Sequence, residues 1–168
     1  MSASVYVAIP VMLLLGIMQT TIIGRFPMFG QIPQLPLLIA LVWSIIRDVN
    51  TGLIWAFIAG LCLDLFSITP LGSTSIAFMA ALLAVSWIPR VLPGNSFSMP
   101  MVLAALATLV YLFTQTLLLS LTGYGLDWAS LAVRLPTILL HAILVLPIYW
   151  FTSFIDRTTR TRRVELQS

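Results

Sequence analysis

The stretch Arg47-Asp48-Val49-Asn50-Thr51-Gly52 leads into an apolar segment, 52–68, that carries Asp64 and closes on Pro70-Leu71-Gly72. A spanning helix needs about 20 apolar residues, with about 17 to 25 tolerated, so the segment reads as a membrane span with a bare carboxylate inside it. An aspartate at a helix centre costs roughly 2.5–3.5 kcal/mol on insertion scales. Some interaction must offset that cost, which makes Asp64 the first functional candidate.

The rest of the chain agrees with a membrane setting. Of 168 residues, 60% are hydrophobic and only 8% charged, and the mean hydropathy is +1.08. A soluble domain carries about 25% charged residues. The composition therefore predicts an all-α integral membrane protein: one transmembrane domain over 1–155, then a basic tail over 156–168. The first apolar segment has no basic region before it and no small-residue cleavage site after it, so it is expected to be a retained span. Cys62 has no partner for an intrachain disulfide. The net charge of +3, all of its basic residues being arginine, bears on orientation rather than on nucleic acid.

Six spans are expected, at about 5–24, 32–46, 52–68, 73–89, 99–121 and 129–154. Pro33 and Pro36 confine the regular part of the second to Leu35–Ile46, about 18 Å at 1.5 Å per residue. Breaks fall at Pro27/Gly30/Pro33, Asn50-Thr51-Gly52, Pro70-Leu71-Gly72, Pro93-Gly94-Asn95 and Gly123-Tyr124-Gly125. With the N-terminus inside, the inner side carries Arg47, Arg90, Arg157, Arg160, Arg162 and Arg163. The outer loops carry Arg25, with Arg134 just inside the last span. That asymmetry predicts both termini in the cytoplasm, and a tail that acts as a stop signal attracted to anionic lipid.

Depth follows from topology. Asp64 precedes Pro70, and Arg134 follows Trp128, by enough to sit each about 9 Å below the outer surface. Opposite charges at one depth can pair across helices. Gln115 of the fifth span and Gln19, Thr20 and Thr21 of the first fall in the same layer. Two readings stay open: interhelical hydrogen bonds that fix packing, or an outward-facing polar pocket. For Arg134 alone, snorkelling to the headgroups is a third. His141, on nearly the same helical face as Arg134, reads as a satisfied hydrogen-bonding residue rather than part of a proton path.

Small residues recur at helical spacing in Ala56/Gly60/Asp64, Ala77/Ala81/Val85 and Gly16/Thr20/Gly24. Such faces allow close helix approach, and one of them could serve an intermolecular contact, a homodimer included. No phosphate-binding glycine loop, zinc-protease motif, Cys/His metal spacing, nucleophile elbow or acidic pair is present, and Asp127 reads as a helix N-cap. No enzyme, cofactor or metal is expected.

The block Arg47-Asp48-Val49-Asn50, Gly52, Gly60-Leu61-Cys62-Leu63-Asp64-Leu65-Phe66-Ser67 and Pro70-Leu71-Gly72 resembles the conserved motif of the MreD family of rod-shape-determining membrane proteins. Asp64 and Gly72 match the family pattern directly. The resemblance implies a non-enzymatic scaffold of the bacterial elongation machinery in the cytoplasmic (inner) membrane, helping to organise lateral peptidoglycan synthesis. Implied partners are an MreC-like single-span periplasmic scaffold, an MreB-like cytoskeletal filament, a RodA-type glycosyltransferase and its penicillin-binding transpeptidase. The family's fold is similar to the substrate-binding subunits of energy-coupling-factor transporters, six-helix bundles with an outward pocket. A vitamin-transporter subunit is therefore the alternative, although the Ala-xxx-Ala docking motif of such subunits is not matched by Ser4-xxx-Ala8 or Gly16-xxx-Thr20. A channel or proton-coupled carrier would want more intramembrane ionisable groups or paired broken helices. The expected mechanism is an outer pocket floored by Asp64 and Arg134, with Gln19, Gln115 and Gly60 nearby and Pro70 and Gly72 at the rim, that recognises the membrane-proximal part of a single-span partner. Gly72 would allow close backbone approach.

Overall fold

The computed structural model describes residues 3–88, 98–123 and 128–165. Seven α-helices follow in order: α1 (Ala3–Thr21), α2 (Leu35–Ile46), α3 (Val49–Leu65), α4 (Ser73–Ser86), α5 (Ser98–Leu121), α6 (Trp128–Arg134) and α7 (Pro136–Glu165). A 3-10 turn, Ile23–Arg25, follows α1. Among the described residues there is no β-strand, only an isolated bridge between Met28 and Gln31.

Among the described residues three helical stretches are long and apolar enough to cross a membrane: Tyr6–Arg25, Ser98–Leu121 and Ala129–Asp156. The helices Leu35–Ile46, Val49–Leu65 and Ser73–Ser86 are apolar but shorter. Local chemistry explains their limits. Pro36 stands in the first turn of α2, where a missing N–H costs nothing. Asp48 caps α3, its carboxylate accepting from the Thr51 N–H at 2.8 Å and the Thr51 hydroxyl at 2.6 Å. These two donors hold the Asp48 carboxyl below the ordinary carboxylate range.

The last predicted span is two helices, not one. Pro136 has no N–H to continue the ladder and crowds the residue before it, so the helix breaks at Leu135. Arg134 and His141 therefore lie on separate helices, which corrects the expectation that they share one helical face. The predicted turn at Pro93-Gly94-Asn95 and the predicted cap Asp127 lie outside the described residues.

Packing closes a ring. α3 lies against α2 and α4, α4 against α5, α5 against α7, and α7 back against α2. α1 is attached outside this ring, chiefly on α3. The short helix α2 is a deeply buried member of this ring, with Leu37, Leu38, Ala40 and Val42 fully buried. The small-residue faces serve the ring: Ala56 and Ala59 of α3 and Ala77 and Ala81 of α4 are all buried. Gly60 sits where α3 meets α4, and a Cβ there would collide with the Ser75 backbone. At one end of the bundle Arg47 forms an ion pair with Asp156 and stacks 5.7 Å over the Trp43 ring. Asp64 marks the opposite end.

Candidate functional site

Asp64 occupies the last turn of α3, since the helix stops at Leu65 and the chain then folds back. The helix therefore ends three residues before the expected limit at 68. Its Oδ1 accepts from the Thr69 hydroxyl at 3.0 Å, and its Oδ2 from the N–H groups of Gly72 at 2.8 Å and Thr74 at 3.1 Å. Gly72 is the N-cap of α4 and has no side chain to cap it, so Asp64 supplies the capping carboxylate from the neighbouring helix. The positive end of the α4 dipole favours the same charge. Gly72 itself has φ of +90°, and nothing lies within 4 Å of a Cβ built on it. Its reason is the left-handed turn, not the close approach expected from the sequence. Pro70 contributes the carbonyl that accepts from the Ser73 N–H at 3.1 Å.

The expected Asp64–Arg134 ion pair is not formed. Among the described residues the ion pair present is Arg47–Asp156, at the other end of the molecule. Asp64 is instead hydrogen-bonded by Thr69 and Gly72 of the following turn and by Thr74 of α4.

Beside this capped turn lies a cavity of about 480 Å³. Gln19 and Thr20 enter it from α1, Gln34 from the first loop, Thr74 from α4, Tyr111 and Gln115 from α5, and Arg134 from α6. Of the sequence candidates, Gln19, Gln115 and Arg134 are thus brought together at the cavity. Asp64, Pro70 and Gly72 instead build the turn at its edge, and Gly60 is used in the α3–α4 crossing.

The first loop straps the cavity's side through residues the sequence reading passed over. Gln19 Nε2 donates to the Pro33 carbonyl at 2.7 Å. Gln31 bridges the break between α6 and α7: its Nε2 donates to the Val133 carbonyl at 2.9 Å, and its Oε1 accepts from the Thr137 hydroxyl at 2.8 Å. The Gln34 N–H donates to His141 Nε2 at 2.8 Å. Because a backbone N–H can only donate, Nε2 must accept, so the proton of a neutral ring lies on Nδ1. Nδ1–H then donates to the Thr108 hydroxyl at 2.8 Å, and that hydroxyl donates to the Ala104 carbonyl at 2.6 Å. His141, fully buried, is a joint between the strap, α5 and α7. The available signals were Pro136, which forces the break, and three glutamines within 19–34 of an apolar sequence.

Two of the residues that line the cavity carry buried acceptors without partners. Gln19 and Gln115 are each 4% exposed, and the Oε1 of each has no hydrogen-bond partner. Arg134 stands close enough to Tyr111 to act on its hydroxyl. No group of three or more metal-ligating side chains exists among the described residues. Among the described residues the lining offers one cation, hydroxyls and amide groups to a guest, and no nucleophile beside a base.

Compared with known proteins, residues 2–157 match the family model described as rod shape-determining protein MreD. No curated protein and no solved structure matches the chain. The likeness to energy-coupling-factor subunits thus rests on the sequence resemblance alone, and no comparison supports the transporter reading.

Proposed function

The chain belongs to the rod shape-determining protein MreD family, and on that premise we propose that it is a non-enzymatic membrane scaffold of the elongation machinery. Its role lies in rod shape determination, as a multi-pass protein of the inner membrane associated with the shape-determining complex. In this reading it binds an MreC-like single-span scaffold and acts with an MreB-like filament. The RodA-type glycosyltransferase and its penicillin-binding transpeptidase are further associates. The observation that carries it is the family match over nearly the whole chain.

The arginine asymmetry supports a bundle with both termini in the cytoplasm and the Asp64 end facing out. That end presents an apolar rim: Phe26 is 73% exposed, Phe29 96%, Ile68 88% and Leu71 66%. Such a rim suits the membrane-proximal part of a partner better than it suits water. The role of Asp64, Pro70 and Gly72 is then to hold the rim in shape. On the inner side, the basic end would keep orientation and meet the cytoskeletal partner.

Affinity purification of the tagged chain from native membranes in mild detergent, with mass spectrometry of the companions, tests this. Recovery of the single-span scaffold and wall synthases is expected. Recovery of paired ATPases and a coupling subunit instead would overturn the scaffold reading.

A further inference from the structure

Arg134 borders a cavity, yet no carboxylate among the described residues lies within 4.0 Å of its guanidinium. A half-buried cation with no acid partner beside a cavity calls for an anion. The two glutamine oxygens make a different demand. Buried acceptors without partners cost about 1–3 kcal/mol each, and a guest that donates would satisfy them. Gln19 cannot relieve its own oxygen by turning its amide over, because its Nε2 is committed to Pro33. Thr20, Thr69 and Thr74 also line the cavity. At about 480 Å³, the space falls within the range of about 300–1,000 Å³ usual for ligand cavities.

We propose that this cavity binds a polyol phosphate group, its phosphate on Arg134 and its hydroxyls donating to the Oε1 atoms of Gln19 and Gln115. The guest is both anionic and hydroxylated, which neither a simple anion nor a neutral sugar satisfies. Arginine suits the phosphate because its fork donates two parallel hydrogen bonds. The chemistry occurs both in lipids with a phosphoglycerol headgroup and in free sugar or glycerol phosphates. The inference is independent of which protein partners the bundle has.

The test uses the full chain in nanodiscs of phosphatidylcholine containing graded phosphatidylglycerol or phosphatidic acid, with retained lipid counted by native mass spectrometry. A parallel arm titrates glycerol 3-phosphate against the chain in pure phosphatidylcholine discs. Phosphatidylglycerol is expected to be retained in preference to phosphatidylcholine, and Arg134→Gln to weaken it roughly ten- to a hundredfold. Arg134→Lys, which keeps the charge and loses the fork, is expected to fall between, so a folding failure of the Gln variant leaves the idea testable. Gln115→Leu is expected to abolish the preference for phosphatidylglycerol over phosphatidic acid, which lacks the glycerol hydroxyls, while leaving the preference of both over phosphatidylcholine. Saturable binding of glycerol 3-phosphate would support the same site with a soluble source. Equal retention of all three lipids with no glycerol 3-phosphate binding overturns the proposal. So does a cavity found filled by a peptide segment of a co-purified partner.

Discussion

Asp64 shows how one carboxylate can be read correctly as important and wrongly as to why. Its cost in the membrane is offset by hydrogen bonds from the Thr69 hydroxyl and the Gly72 and Thr74 amides, not by an arginine across the bundle. The expected consequence is specific. Asp64→Asn presents an NH2 to donors at one of its two positions, so it loses at least one hydrogen bond to a charged acceptor, about 2–3 kcal/mol. Thermal unfolding in detergent, with no partner present, is expected to show the loss. An Asp64→Asn melt indistinguishable from wild type would mean that the cap does not hold the turn.

At the scale of elements, the close crossing of α3 and α4 is set by Gly60. The Ser75 hydroxyl donates to the Phe57 carbonyl at 3.0 Å across the same crossing, so the two backbones are joined as well as packed. Gly60→Ala places a methyl group against the Ser75 backbone and is expected to destabilise by about 1–3 kcal/mol, as overpacking does. Loss of the Ser75–Phe57 bond should accompany it, visible as faster amide exchange in the first turn of α4. Unchanged exchange and melting would show that the helices can part at no cost. The strap of residues 31–34 is another element-level device, held at α1, at the α6–α7 break and at His141.

For the whole molecule, the two ends differ in kind. The Asp64 end is hydrogen-bonded around a cavity, whereas the other end is tied by Arg47 and Asp156, which join the α2–α3 turn to the far part of α7. Arg47 is half-buried at its side chain, 34% exposed, so the pair is screened and worth about 0.5–1 kcal/mol. A double-mutant cycle of Arg47→Gln and Asp156→Asn is expected to return a coupling of that size, reduced at high salt. A coupling of zero would leave the ring closed by α2–α7 packing alone.

Chain chemistry by itself determined that this is a helical membrane protein, because 60% hydrophobic content with 8% charge admits little else. It also marked the helix limits set by Pro36 and Pro70-Leu71-Gly72, since ring and turn constraints act locally. The family was legible too, in the residues around Asp64, Gly60 and Gly72. The Asp64–Arg134 pairing was not, because depth along separate helices says nothing about azimuth or about donors in the aspartate's own loop. Nor was the joint at His141, whose partners Gln34 and Thr108 lie 107 and 33 residues away. Tertiary structure alone decided that Gln19, Gln115 and Arg134, from three different helices, line one cavity, because only the packing of α1 and α6 against the ring brings side chains so distant in sequence to one place.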